Sequence, residues 1–386
     1  MTDSVPSGDA PTKRVTPFEL FFDLVFVFAL TQVTRLMIDH PNPAGVARGV
    51  LVLALLWWAW GAYAWLTNAV STEQRGPRLV VLGAMAAMLV VGVAVPQAAG
   101  INALAFALAY LVVRVLHLVL YAVAGGSLNR TAILRLAPGN LAASVLLVIG
   151  AFVPSSVQLG LWVAAVLVDY GTPMLTGVGG FTVHAAHFYE RHHLFFIIAL
   201  GETIVSIGGG VLHAVRITPV SALAIVLALA AIGGLWWTYF DWEAQVSARA
   251  LSSRTGPHRA HLARDMFSYL HMPLVTGVVL IAIGLEHVAE HPTESLPGLP
   301  QVALGGGAAL FLASLAAIRG RRGHQQRIDH LAGALVGLAL IPVAGYLPGL
   351  ASVGLLIGVL VMVALVDRAQ ASAEPPTIGA TTTPAE

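Results

Sequence analysis

PFELFFDLVFVFALTQVTRLMI, residues 17–38, is apolar and long enough to cross a bilayer, yet it carries two carboxylates, Glu19 and Asp23. A helix of about 20 residues, rising about 1.5 Å per residue, spans the hydrocarbon core. A charge near the bilayer centre costs at least about 2.5–3.5 kcal/mol, so such residues have partners and commonly a function. Two further acids sit in comparable runs, Glu202 in LFFIIALGETIVSIGG (194–209) and Asp241 in GLWWTYFDW (234–242). Together they point to a polar, proton- or ion-handling site inside a membrane protein.

Composition extends that reading to the whole chain. Hydrophobic residues make up 57% and charged residues 10% of the sequence, against about 25% charged in soluble domains. Apolar runs recur at 17–38, 46–68, 78–98, 101–124, 136–153, 157–176, 193–213, 219–245, 264–287, 300–318, 328–347 and 349–368. The chain therefore reads as an all-α integral membrane protein of about twelve transmembrane helices, the closing pair divided only at Leu347-Pro348-Gly349. Residues 1–15 lack the apolar core of a signal peptide. They and the Ala/Pro/Thr-rich 370–386 read as disordered cytoplasmic tails. Of the 20 lysines and arginines, only Arg35, Arg48 and Arg216 fall in outer segments when both termini are cytoplasmic, and Arg114 falls within a helix. That is the positive-inside pattern. The absence of cysteine excludes disulfides and thiolate chemistry. The sole lysine, Lys13, lies outside the spans and leaves no Schiff-base site within the membrane. A net charge of +1 gives no footing for nucleic acid.

The two halves resemble each other in order. FELFFDLVFVFAL parallels HLFFIIALGETIV (193–205), and LLWWAWGAY (55–63) parallels GLWWTYFDW. LAPGNLAASVLLVIGAFVP (136–154) parallels LAGALVGLALIPVAGYLP (331–348), and LWVAAVLVDY (161–170) parallels VLVMVALVDR (359–368). The expectation is two parallel six-helix repeats, 16–177 and 178–369, with a site near the midplane between them.

PFELFFDLVFVFALTQVT together with HFYERHHLFFIIALGETIV resembles the bacterial low temperature requirement A family. The matching residues are Glu19, Leu20, Phe21, Asp23, Leu24, Val25 and Phe26, then His187, Glu190, Arg191, Leu194, Phe195, Gly201 and Glu202. WWTYFD (236–241) and SYLHMPLVTGVVLIAIGLE (268–286) also look like family segments, and the likeness runs from residue 15 to about 368. His192-His193 departs from the small or aromatic pair usual there. The resemblance implies a multi-pass membrane protein and assigns no chemistry.

The polar residues divide by position. Thr16-Pro17-Phe18-Glu19 is a capping box with proline at the first helical position, so Glu19 has a structural explanation. Asp23 lies one turn deeper on the same face, where two carboxylates repel unless one is protonated or a cation intervenes. Glu202 falls near the middle of its helix, beside Gly201 and Gly208-Gly209-Gly210. Arg114 shares a face with His117 and needs a buried carboxylate, with Glu202 the first choice and Asp23 the second. Asp241 reads as submerged, Asp169 and Asp367 as interfacial. His271, before Pro273, reads as either a proton relay or a hydrogen-bonded core residue. His184, His187, Glu190 and His193 form a stripe at i+3 that could hold zinc at His184, His187 and Glu190, although packing explains it as well. No other cofactor is indicated. The paired tryptophans at 57–58 and 236–237 read as wall or packing residues.

The leading expectation is a secondary transporter of a small solute driven by protonation of Glu202 or Asp23. One alternative is an intramembrane enzyme acting on a lipid or isoprenoid with Asp23, Asp241 and His271 as acid and base. The other is a non-catalytic membrane stress or assembly factor whose polar cluster is structural.

Overall fold

Local sequence sets the helix starts. At the first, Thr16 Oγ1 accepts the Glu19 N–H at 3.3 Å and Glu19 Oε2 accepts the Thr16 N–H at 2.8 Å, with Pro17 next. Asn42-Pro43 and Thr218-Pro219 open two further helices in the same way, cap then proline. The structure, a computed structural model, describes residues 13–212, 218–322 and 328–373. Arg216, residues 1–12 and residues 374–386 lie outside the described residues, so much of the two expected tails does too. Lys13 and Val15 are half-buried, and the Lys13 ammonium donates to the carbonyls of Thr67 and Asn68.

Among the described residues the chain forms α1 (Pro17–Asp39), α2 (Pro43–Ala69), α3 (Arg75–Ala94), α4 (Ala103–Ala124), α5 (Gly126–Gly150) and α6 (Ser155–Thr176). These are followed by α7 (Ala185–Leu212), α8 (Pro219–Ser252), α9 (Gly256–Glu290), α10 (Gly298–Arg321), α11 (Ile328–Ala344) and α12 (Gly349–Ala373). Eleven of them are long and apolar enough to cross a membrane, and α11 is a shorter apolar helix. This is a multi-pass helical membrane protein. Successive helices alternate in direction, which puts the start of α1 and the end of α12 on one side, the terminal face. Leu24, Leu79, Val93, Leu167 and Met362 point outward, as a lipid-facing surface requires.

Two helices contain a widened turn, at Tyr239–Glu243 in α8 and at Arg264–Tyr269 in α9. Such single π turns commonly mark functional positions because the extra residue rotates the helix that follows. In α9 the Leu270 N–H reaches the Asp265 carbonyl, three residues before Pro273, which limits regular bonding there.

Within the first half α1 packs on α2 and α3, α3 on α4, α4 on α5, α5 on α6, and α6 returns to α2. Within the second, α7 packs on α8 and α9, α9 on α10, α10 on α11, α11 on α12, and α12 returns to α8. The halves meet where α1 and α2 face α7 and α9. Glycines set the α9–α10 crossing: a Cβ on Gly277 would lie 2.7 Å from the Gly307 carbonyl oxygen and 2.8 Å from the Phe311 nitrogen, and one on Gly307 would lie 2.7 Å from the Gly277 carbonyl oxygen. Backbone atoms cannot yield as side chains can, and small residues are what let membrane helices approach. Gly277→Val should therefore destabilise the protein by about 1–3 kcal/mol despite improved helix propensity. A detergent melt at or above the wild-type midpoint would contradict the close crossing.

Candidate functional site

The seam between α1 and α7 carries the densest polar geometry. Glu19 and Asp23 are spaced i, i+4 on α1, and His187 and Arg191 are spaced i, i+4 on α7. The two helices run in the same direction, so the pairs meet as rungs with the same sequence separation, 168. His187 Nε2 lies 2.8 Å from Glu19 Oε1, and Arg191 Nη2 lies 2.8 Å from Asp23 Oδ1. Both Glu19 oxygens are thus engaged, one by its own helix cap and one by His187. Asn68 sits behind the first rung. Its side chain grips the backbone of His184 at both ends, and its Nδ2 lies 3.2 Å from His187 Nδ1. An amide donor on Nδ1 makes that nitrogen an acceptor and places the His187 proton on Nε2, facing Glu19.

Asp23 is 0% exposed, and its Oδ1 also accepts the Trp60 indole N–H at 2.7 Å. Arg191 makes no further hydrogen bond from Nε or Nη1 among the described residues. Its guanidinium carbon instead lies 5.9 Å from the Phe22 ring centroid and 5.8 Å from that of Trp60. The aromatic faces take part of the charge that oxygen acceptors would otherwise take. At the membrane edge, burial pushes the Lys13 ammonium below its ordinary pKa, with Glu19 and Glu73 opposing. His184 is also lowered by partial burial and by the positive field of Lys13.

Toward the opposite face the seam becomes polar again. Glu202 is 6% exposed, and its Oε2 lies 2.7 Å from Thr31 Oγ1. Its Oε1 has no partner among the described residues, and no basic group there comes within 4.0 Å. Thr31 Oγ1 is also 3.2 Å from the Val27 carbonyl. One hydroxyl proton cannot serve both, which allows two arrangements: Thr31 donates to a carboxylate, or it accepts from a carboxylic acid and donates to Val27. One turn on, Ser206 Oγ lies 2.5 Å from Glu286 Oε2. Between the two polar zones, α1 rises about 12 Å from Asp23 to Thr31 at about 1.5 Å per residue, and the intervening residues include buried Phe26 on α1 and buried Phe195 on α7, the latter against Trp57 and Trp60.

Arg114 does not pair with Glu202 or Asp23. Its Nη2 lies 2.9 Å from Asp169 Oδ1, both side chains are buried, and the Tyr110 hydroxyl lies 3.4 Å from Oδ2. Asp169 therefore does not end its helix, since α6 continues to Thr176 beyond it. Asp367 is also buried, with Arg319 Nη2 at 2.8 Å. Asp241 corrects in the other direction: it is exposed on the widened turn of α8, and the buried acid there is Glu243. Glu243 meets Arg319 at 3.1 Å and Arg322 at 2.8 Å. Sequence reasoning missed Glu243, Arg319 and Arg322, and also Arg191 as the partner of Asp23. The repeated i, i+4 spacing was the available signal for Arg191.

The remaining candidates are separated. The ring nitrogens of His271 are both engaged, Nε2 with the Tyr239 hydroxyl and Nδ1 with the Met266 carbonyl, each at 2.7 Å. The Trp60 and His192 rings stand between it and Asp23. The stripe residues also take separate partners: His187 faces Glu19, Glu190 Oε2 accepts the Val15 N–H at 3.2 Å, the His184 side chain is exposed, and the His193 ring lies 5.7 Å from that of Tyr239. Among the described residues, the metal-compatible grouping is instead Asp329, His330 and Asp367. Arg319 already supplies positive charge to it, 2.8 Å from Asp367 and 3.6 Å from Asp329. Trp57 and Trp58 line a cavity, whereas Trp236 and Trp237 are 45% and 49% exposed.

The family model for bacterial low temperature requirement A protein matches residues 14–365. An uncharacterized protein of Rhizobium meliloti (strain 1021) is 31% identical over 316 residues, covering 78% of this chain and 76% of that protein. No solved structure matches.

Proposed function

The chain belongs to the bacterial low temperature requirement A family, and from that premise we propose a proton-linked secondary transporter of a small solute that works through buried carboxylates. The observation that carries this reading is Glu202. Asp23, Asp169, Glu243 and Asp367 each have an arginine within 4.0 Å, whereas among the described residues Glu202 has only the Thr31 hydroxyl. That hydroxyl can serve either protonation state without moving a helix, which suits a group that loads and releases a proton. The aromatic layer between the Asp23 rung and Glu202 keeps the two polar zones apart, as alternating access requires.

Two parallel six-helix repeats, meeting along the α1–α7 seam, are part of the proposal. Support comes from the recurring neighbour order in the two halves and from Asp169 and Asp367. Each acid comes from the last helix of its half and pairs with an arginine from the fourth, although the arginines sit at different turns. The distribution of arginine favours a cytoplasmic terminal face in the cell membrane.

The test is reconstitution of the full chain into vesicles loaded with a pH-sensitive dye and challenged with a panel of small acids, amines and sugars. At least one solute should move protons faster than in protein-free vesicles. Rates equal to protein-free vesicles for every solute would sink the reading.

A further inference from the structure

At the terminal face of the second half, the end of α8, the start of α9 and the end of α10 surround an open cleft of ≈ 470 Å³. That is the size of a small-molecule site, about 300–1,000 Å³. Its charged lining has one sign: Arg249, Arg254, Arg321 and Arg322, with His258 and His261, and no Asp or Glu among the described residues that line it. Two of these arginines are already engaged. Arg322 meets Glu243 at 2.8 Å, and Arg321 shares Asp265 with Arg264. Arg254 differs. It is exposed, and its guanidinium makes no hydrogen bond or ion pair among the described residues. The rings of exposed His258 and half-buried His261 take no partner there either. The turn that carries Arg254 is held in place. Arg259 donates from Nε to the Arg254 carbonyl at 2.6 Å, from Nη2 to the Ser252 carbonyl at 3.3 Å and from Nη1 to the Val183 carbonyl at 3.1 Å. One guanidinium thus ties the α8–α9 turn to the chain just before α7. Thr255 gives α9 no side-chain cap, so the positive end of that helix adds to the field around His258. Burial lowers the pKa of Arg322 against the pull of Glu243, and the positive fields of Arg319 and Arg249 lower it further. Positive charge crowded into a concave site concentrates anions.

We propose that this cleft binds a phosphate group, with Arg254 as its principal cation and His258 and His261 as further N–H donors. The donors come from two chain segments, the α8–α9 turn and the first turns of α9, with Arg249 and Arg321 on other sides of the cleft. A phosphate presents oxygens in several directions and can meet donors placed around it, whereas a planar carboxylate is satisfied by one guanidinium. The phosphate is carried either by an anionic lipid headgroup, which basic sites at cytoplasmic helix ends recognise, or by a soluble phosphate compound. The site is separate from Glu202, and its binding does not depend on the transport reading.

The experiment titrates sodium pyrophosphate into the purified full chain in an uncharged detergent at fixed ionic strength, with sodium malonate as the carboxylate control. Pyrophosphate should bind at least about tenfold more tightly than malonate, or ~1.4 kcal/mol. Arg254→Gln should weaken pyrophosphate binding by at least the same factor. So should Ser253→Glu, which sets a carboxylate on the cleft wall. Both positions are exposed, so the melting midpoints should stay near wild type. Arg130→Gln removes an exposed arginine near the start of α5 on the same face and should leave the affinity unchanged. Short-chain phosphatidylglycerol, below its micellar concentration, is then added against bound pyrophosphate. Displacement assigns the cleft to a lipid headgroup, and its absence assigns a soluble phosphate compound. Absence of pyrophosphate binding overturns the proposal, as does equal binding of malonate. Unchanged affinity in either cleft variant, or an equal loss in Arg130→Gln, also overturns it.

Discussion

Replacing Arg114 by leucine should destabilise the folded protein by about 3–5 kcal/mol, the cost of stranding one member of a buried ion pair. Asp169 would be the stranded group. It is fully buried, and after loss of the 2.9 Å contact to Arg114 it keeps only neutral neighbours, the Tyr110 hydroxyl at 3.4 Å and the Trp58 side chain, among the described residues. Adding Asp169→Leu should restore most of the loss, because two apolar side chains make no demand on hydrogen bonding. Adding Glu202→Gln to Arg114→Leu should restore nothing. A thermal double-mutant cycle in detergent separates these outcomes. Simple additivity of Arg114→Leu and Asp169→Leu would contradict the pairing.

Arg191→Leu should cost a similar ~3–5 kcal/mol by leaving Asp23 buried without its cation. Rescue by Asp23→Leu should be less complete than for Arg114 and Asp169. Removing Asp23 also takes the acceptor from Trp60 Nε1, and a buried donor without a partner costs about 1–3 kcal/mol. Adding Trp60→Phe to that double variant should recover part of the deficit. The melting midpoints of the single, double and triple variants decide it. Full rescue by Asp23→Leu alone would mean that the 2.7 Å indole contact contributes nothing.

The helices were legible because their signals are local. The Thr16–Glu19 box and Pro17 announce α1 from four consecutive residues, and the structure has that cap as read. Glu19, Asp23 and Glu202 stood out because acids are expensive in apolar runs. Their partners were harder, since pairing across 168 residues is set by how helices pack and not by either helix alone. Arg114 was matched by depth alone, and its partner is Asp169. The expected run 157–176 already held that acid inside it, but nothing in the run itself shows which neighbouring helix the acid faces. Asp241 and Glu243 exchanged roles at a widened turn, which a regular 3.6-residue period does not register. α11 shows the same limit at a helix end: Pro342 and the turn after Ala344 stop it short of the expected 347. The cavity beside Trp57 and Trp58 gave one hint, the paired tryptophans. Their counterparts at 236–237 face outward, so the pattern alone could not separate wall from surface.

The most direct measurement is the rate of solute-coupled proton entry into vesicles containing Glu202→Gln, compared with wild type at equal reconstituted protein. Glutamine keeps the shape and the hydrogen bond to Thr31 but can neither take up nor release the proton. Entry should fall to the protein-free rate while the melting midpoint stays near that of wild type. Entry at the wild-type rate would contradict proton coupling through Glu202 and with it the account's central claim.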